Sequence, residues 1–330
     1  FTATEGDISL TTKSSFNGAV VGQSITLTAN SGAVTVRHLD NASGGYALRG
    51  TEVAISALND VTITSNRGGI MASSGGVSVT SESGSIEIDC EMDQCVSAND
   101  IVTLNAAEGV TLNDSSEDSA AVSTDGNAFN ITTGDKLSST SAYGFQTGAL
   151  TIRSNEVIIE SNGQDAIQAS SVNITNTDGT GNCESVSITA TSTSNERAAI
   201  SSYENITVKA DRLSIIGKDS AKAICITGTG TVTIGDTGLI IGDMVISDTS
   251  GIDTRIICAA NGGDISNGGL TLDINTPTIA TYYQAGDGYV LFNPAAGETP
   301  ATVTLHNASI NNPSGNALFL PSDIDTTVVA

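Results

Sequence analysis

The residues able to do chemistry in this sequence are few, and most are acidic. Asp89, Glu91 and Asp93 share one short segment, and Asp114, Glu117 and Asp118 share another about 25 residues later. Carboxylate oxygens gathered in one place ligate calcium at about 2.3–2.6 Å, so these six residues are a candidate calcium edge. The plainer reading is a solvated acidic turn. Nothing in the chain resembles an EF-hand or a glycine-rich calcium repeat. Cys90 and Cys95 flank the first acidic segment, and their spacing allows a disulfide that would clamp it. Cys225 follows Ile224 and Cys258 follows Ile257, which suggests equivalent sites on successive repeats, either as buried thiols or as a bridge. Cys183 falls in an inserted stretch and is expected to be exposed. Tyr282, Tyr283, Tyr289 and Phe292 cluster, although the whole chain has only six Tyr, six Phe and no Trp. They form either a sugar-stacking platform, since Tyr offers a flat face with a polar handle, or a packed end segment.

Catalytic signals are sparse. His38 and His306 are the two histidines, each alone, and His38 reads as a surface residue. No metalloprotease helix motif, nucleophile elbow or Cys-x-x-Cys is present. Glycoside hydrolysis needs two carboxyls at a set separation, and the sequence offers no obvious ordered pair. Arg37, Arg153 and Lys209 fall near strand ends without an acidic partner in register. A non-catalytic chain is therefore expected, with no cofactor apart from calcium at the acidic edge.

The elements that must position these residues follow from a repeat. A short alternating strand, a, recurs with inward pairs Ile25/Leu27, Val53/Ile55, Val77/Val79, Val102/Leu104, Phe129/Ile131, Leu150/Ile152, Val172/Ile174, Ile206/Val208 and Val232/Ile234. A second strand, b, follows each, as in Val34/Val36, Val61/Ile63, Ile86/Ile88 and Val110/Leu112. The b strand after Phe129 is weak and offers only Leu137. A third position, c, is a small residue followed by an apolar one: Ala47-Leu48, Gly69-Ile70, Cys95-Val96, Ala121-Val122 and Gly144-Phe145. Alternation with period two buries one face and wets the other. One such coil cannot bury its apolar edge alone, but stacked coils bury a continuous column. The pattern predicts an all-β fold, a single-stranded right-handed parallel β-helix with three sides and coils of about 21–28 residues. A β-sandwich fits less well, because hairpin turns do not separate successive strands. One domain is expected over 1–330, with regular coils over 24–246 and less regular ones over 247–330. The coil between Ile174 and Ile206 is longer, and its extra residues around Asp178–Glu184 are expected to bulge as a loop.

Composition narrows the partners. There are 12 basic residues against 36 acidic ones, a net charge of −24. Nucleic acid is excluded as a partner, because phosphates need a basic footprint. Anionic lipid is excluded for the same reason, and no stretch approaches the roughly 20 apolar residues of a membrane span. The first residues lack the pattern of a secretory leader, so the chain reads as a mature or trimmed piece of a longer protein. A monomeric module is expected.

The run Ala301–Leu318 combines a strand with Asn, Gly and Ala-apolar steps, and the same rhythm covers most of the chain. It resembles the repeat unit of pectin-lyase-like right-handed β-helices. It is similar in particular to surface proteins of Gram-positive gut bacteria labelled carbohydrate-binding. Gly68-Gly69-Ile70 also resembles the passenger regions of polymorphic outer-membrane proteins. The resemblance implies a fold and an extracellular location, secreted or attached to a cell surface, and carries over no catalytic residue. The expected function is an adhesin-like module binding a glycan or host ligand, or a rigid spacer. The alternative is a lyase or hydrolase of acidic polysaccharides.

Overall fold

The structure is a computed structural model that describes residues 1–13, 18–39, 45–194, 196–219 and 221–226. Beyond these it describes the strand backbones of Val232–Ile234, Met244–Asp248, Ile257–Ala259, Thr271–Asn275, Tyr283–Gln284, Thr302–His306 and Thr327–Val329. The described residues contain strands and turns and no helix, and so none long and apolar enough to cross a membrane. The strands stack in parallel as a β-solenoid. The chain comprises two compact units, Phe1–Ser154 and Asn155–Ala330.

In the first unit, Ser24–Ala29, Glu52–Ala57, Val77–Ser81, Val102–Ala106 and Phe129–Thr133 form the a row. Each pairs in parallel with the next, and Leu150 continues the column from Phe129. The b row runs Ile8–Thr12, Val34–His38, Val61–Ser65, Ile86–Cys90, Val110–Asp114 and Lys136–Ser141. The register aligns the predicted inward residues: Ile25 faces Val53, Val53 faces Val77, and Val77 faces Val102. Leu27, Val34, Val61, Ile63, Val79, Ile86, Ile88 and Leu104 are all fully buried or nearly so. Stacking at about 4.8 Å per coil turns each row of Val, Ile and Leu into a continuous apolar ladder.

The weak b strand after Phe129 does form. Leu137 faces Val110, and Ser139 stands opposite Leu112 where other coils place a large aliphatic residue. The same coil carries Phe129 and Phe145, fully buried rings packed edge to face with centroids 5.2 Å apart. Large rings and a small serine thus share one layer.

The corners explain the small residues. At the a-to-b corner the last inward residues are Ala29, Ala57, Ser81, Ala106 and Thr133, stacked in register. Their hydroxyls serve the turn: Ser81 Oγ donates to the Asn59 carbonyl at 2.7 Å, and Thr133 donates to that of Glu108. At the b-to-c corner the strand-ending residue accepts from a turn amide. Arg67 N donates to Ser65 Oγ at 3.1 Å, Ser116 N to Asp114 Oδ1 at 2.9 Å, and Gly144 N to Ser141 Oγ at 2.7 Å. The c position must be small because backbone passes beside it. A Cβ on Gly69 would lie 2.4 Å from the Cys95 carbonyl oxygen. At the c-to-a corner an asparagine ladder links coils: Asn99 Nδ2 donates to Ser73 O at 2.8 Å, and Asn127 Nδ2 to Asn99 O at 3.0 Å.

In the second unit, Glu156–Ser161, Cys183–Ser192, Ala210–Asp219 and Met244–Asp248 form the b row. Ile167–Thr175 supplies both a c and an a strand, pairing with Ala198–Ser202 and with Ile206–Val208. The long coil closes over a turn in which Asn176 N donates to Gly181 O and Gly179 N to Asn176 O. The insertion is shorter than its sequence suggests, because Cys183 already begins the b strand opposite Ala210. Cys225 and Cys258 face each other in register on successive coils, as their spacing predicts.

Candidate functional site

A groove of about 350 Å³ opens on the outer face of the a row in the first unit. Alternation puts Thr26, Ala54, Ser78 and Thr103 outward, while Ile25, Val53, Val77 and Val102 point into the core. Parallel register stacks these outward residues into one column, which Asn130 and Thr151 extend. Polar side chains therefore line the column on coils about 4.8 Å apart, with one break at Ala54. Ser24, Glu52, Gly76 and Ile101 complete the walls. Ser24 Oγ donates to Glu52 Oε1 at 2.7 Å across two coils, which fixes the carboxylate at one end. Ile101 remains 48% exposed at the mouth and supplies an apolar ledge. An exposed apolar ledge beside several hydroxyls suits a partner with its own hydroxyls and C–H faces.

The acidic edge divides between two environments. Asp89 faces Asn113 in register and accepts from its Nδ2 at 2.9 Å. Glu91, Glu117 and Asp118 are exposed, and Asp93 is half-buried. Asp114 is buried at the b-to-c corner, where Ser119 Oγ and the Ser116 amide occupy its oxygens. Burial pushes its carboxyl up, and those hydrogen bonds pull the other way. Burial also raises Asp93, with Arg67 opposing and Asp118 adding. The corner spends Asp114 on its own turn, and among the described residues no three acidic, His or Cys side chains converge on a point that could hold a metal ion.

Cys90 and Cys95, the pair whose spacing allows a disulfide, lie at the same corner as buried free thiols. Next to them Tyr46 donates to Gln94 Oε1 at 2.5 Å, and burial beside Asp93 pushes its phenol up to about 12. Of the aromatic cluster, Tyr282, Tyr289 and Phe292 lie outside the described residues. Tyr283 is described only as strand backbone, where it faces Ser247.

Two expectations are corrected. His38 is not on the surface: it is 2% exposed, because it ends a b strand on the inward face and stacks on Ser65, with Nδ1 and Oγ 3.3 Å apart. Cys183 is not in an exposed loop: it is fully buried, and burial pushes its thiol up to about 12.

Two features escaped the sequence reading. Glu87 and Asp89 are a carboxyl pair two residues apart on the outer face of the b row. Burial, Asp89 and Asp60 together raise the Glu87 carboxyl. The Glu-Ile-Asp triplet was the available signal, since positions two apart on a strand share a face. In the second unit Tyr203 is 58% exposed, and its position between a c and an a strand was its only signal. Comparison with family models, curated proteins and solved structures finds no match to this chain.

Proposed function

We propose that this chain is a non-catalytic extracellular module, of the pectin-lyase-like and adhesin-like kind, that binds a glycan along the outer face of its a row. The supporting observation is the groove: hydroxyls of Ser24, Thr26, Ser78 and Thr103 beside the exposed Ile101. Sugar recognition combines hydroxyl hydrogen bonds with contact to C–H faces, and the groove offers both. Among its lining residues Glu52 is the one carboxyl. Glycoside hydrolysis uses two, so this groove favours binding over cleavage. The groove has no cation to attract uronic acids, and a net charge of −24 repels them. Neutral glycans are therefore the preferred class.

The experiment is a titration of neutral and acidic oligosaccharides by calorimetry, with Ser78→Arg as the blocking variant. Ser78 is exposed, so a long side chain there fills the groove without entering the core. Wild type binds a neutral glycan, and the variant binds it at least about tenfold more weakly, ~1.4 kcal/mol, with an unchanged melting temperature. Equal affinity of the two proteins would remove this groove as the site.

The Glu87–Asp89 pair favours a second reading, a polysaccharide hydrolase using the b-row face, with Glu87 as proton donor and Asp89 as its partner. Release of reducing sugar by the wild type and its loss in Glu87→Gln would establish that reading in place of the first.

A further inference from the structure

The b-to-c corners of the first unit share a closing device that glycan binding does not use. Where Asp114 ends its strand, Ser119, five residues on, donates its hydroxyl back to Asp114 Oδ2. One coil earlier, Cys90 occupies the same register position as Asp114. Cys95, also five residues on, carries the second free thiol of this corner. Both cysteines are buried, at 3% and 0% exposure. Cys95 Sγ sits 3.5 Å from the Ile88 carbonyl and 3.2 Å from that of Asn113. Gly69 fills the near side, where a Cβ would come within 3.1 Å of Cys90 Sγ.

The main chain of this corner is already anchored at both ends. Gly69 N donates to Gln94 O at 3.1 Å and Ile70 N to Cys95 O at 2.9 Å. Glu91 N donates to Arg67 O at 3.3 Å, and Ser115 N to Cys90 O at 2.9 Å. Joining the two sulfurs therefore requires little new ordering of the chain.

We propose that Cys90 and Cys95 are a corner-closing disulfide site, in which one S–S bond takes the place held by the Ser119–Asp114 hydrogen bond in the next coil. The oxidant is a small disulfide such as oxidised glutathione. A thiolate of the pair attacks it, giving a mixed disulfide and releasing one glutathione thiol. The second cysteine displaces the other glutathione. Two S–H bonds break and one S–S bond forms. The two electrons and two protons end on the two glutathione thiols. Exchange needs the thiolate. Burial, the Cys90 thiol and nearby carboxylates raise the Cys95 thiol well above its usual value. The folded corner is therefore slow to oxidise, and the bond forms while the chain folds.

The test refolds the protein in a glutathione redox buffer, denatures it, alkylates free thiols and maps the peptides by mass. The expected result is that Cys90 and Cys95 carry no label and their peptide lacks two hydrogen atoms, while Cys183 is labelled. A fully reduced sample labels all five cysteines of the chain. The oxidised protein melts about 4–8 °C above the reduced one, as a short closed loop predicts. The double variant Cys90→Asp/Cys95→Ser rebuilds the hydrogen-bonded closure of the next coil and melts independently of the oxidant. The proposal is overturned if Cys90 and Cys95 are both alkylated after oxidative refolding, or if either is bridged to another cysteine. It also fails if the double variant shows the same oxidant-dependent shift. Peptide mapping of the wild type decides the matter even where the variant does not fold.

Discussion

Two buried serines in one strand show how position decides the worth of a hydroxyl. Ser139 and Ser141 are both buried and two residues apart in Lys136–Ser141. Ser141 Oγ caps its corner by accepting from Gly144 N at 2.7 Å. Ser139 Oγ is buried with no hydrogen-bond partner. An unmade buried hydrogen bond costs about 1–3 kcal/mol, whereas a made one contributes about 0.5–1.5 kcal/mol. Ser139→Ala is therefore expected to stabilise the protein by roughly 1 kcal/mol and Ser141→Ala to destabilise it by a similar amount. Urea denaturation followed by circular dichroism measures both, and two changes of the same sign would contradict the assignment. Asp165 belongs to the capping class as well. It is buried, accepts from Ala198 N at 2.7 Å and pairs with Arg197 at 3.1 Å, yet burial still raises its carboxyl.

A strand of this solenoid has a dry face and a wet face, and one residue step exchanges them. In Val61–Ser65, Ile63 is fully buried and Thr62 is half-buried on the outer face. Ile63 faces Val36 in one neighbouring coil and Ile88 in the other. An unpaired carboxylate placed there must be neutralised or desolvated at a cost of several kcal/mol. Ile63→Asp is expected to unfold the first unit, and Thr62→Asp to leave its melting within a few degrees of wild type. Equal melting temperatures would mean that the inward and outward faces are exchanged. The a row obeys the same rule, which is why the groove can be blocked at Ser78 without disturbing Val77 and Val79.

Across the whole chain, acidity works against the folded state. The carboxyls of Glu87, Asp93, Asp114 and Asp165 are all raised above their ordinary values, with burial the leading cause at each. A carboxyl whose pKa is higher folded than unfolded binds its proton preferentially in the folded chain. Such a group favours folding below its unfolded pKa, and that advantage is lost as pH rises through the folded value. Net self-repulsion from a charge of −24 acts in the same direction. The melting temperature is therefore expected to rise as pH is lowered from about 7 toward about 4, where ordinary carboxyls titrate. Thermal scans across that range test this, and a melting temperature that falls steadily on acidification would oppose it.

The sequence by itself determined the architecture. Period-two alternation is a local property, and Ile25, Val53, Val77 and Val102 could be aligned into one column without coordinates. The weak coil was also visible, because Ser139 stands where an aliphatic residue belongs. Tertiary structure alone decided which polar residues meet. Coil lengths vary, so no fixed offset predicts that Asp114 stacks on Cys90, that His38 turns inward onto Ser65, or that Ser24 reaches Glu52. The groove arises in the same way, from side chains about 25 residues apart brought to a spacing of about 4.8 Å. Burying apolar surface needs only a pattern, which tolerates variation and is written along each strand. A hydrogen bond or a thiol pair needs two particular atoms within about 3–4 Å, and only the stacking register supplies that.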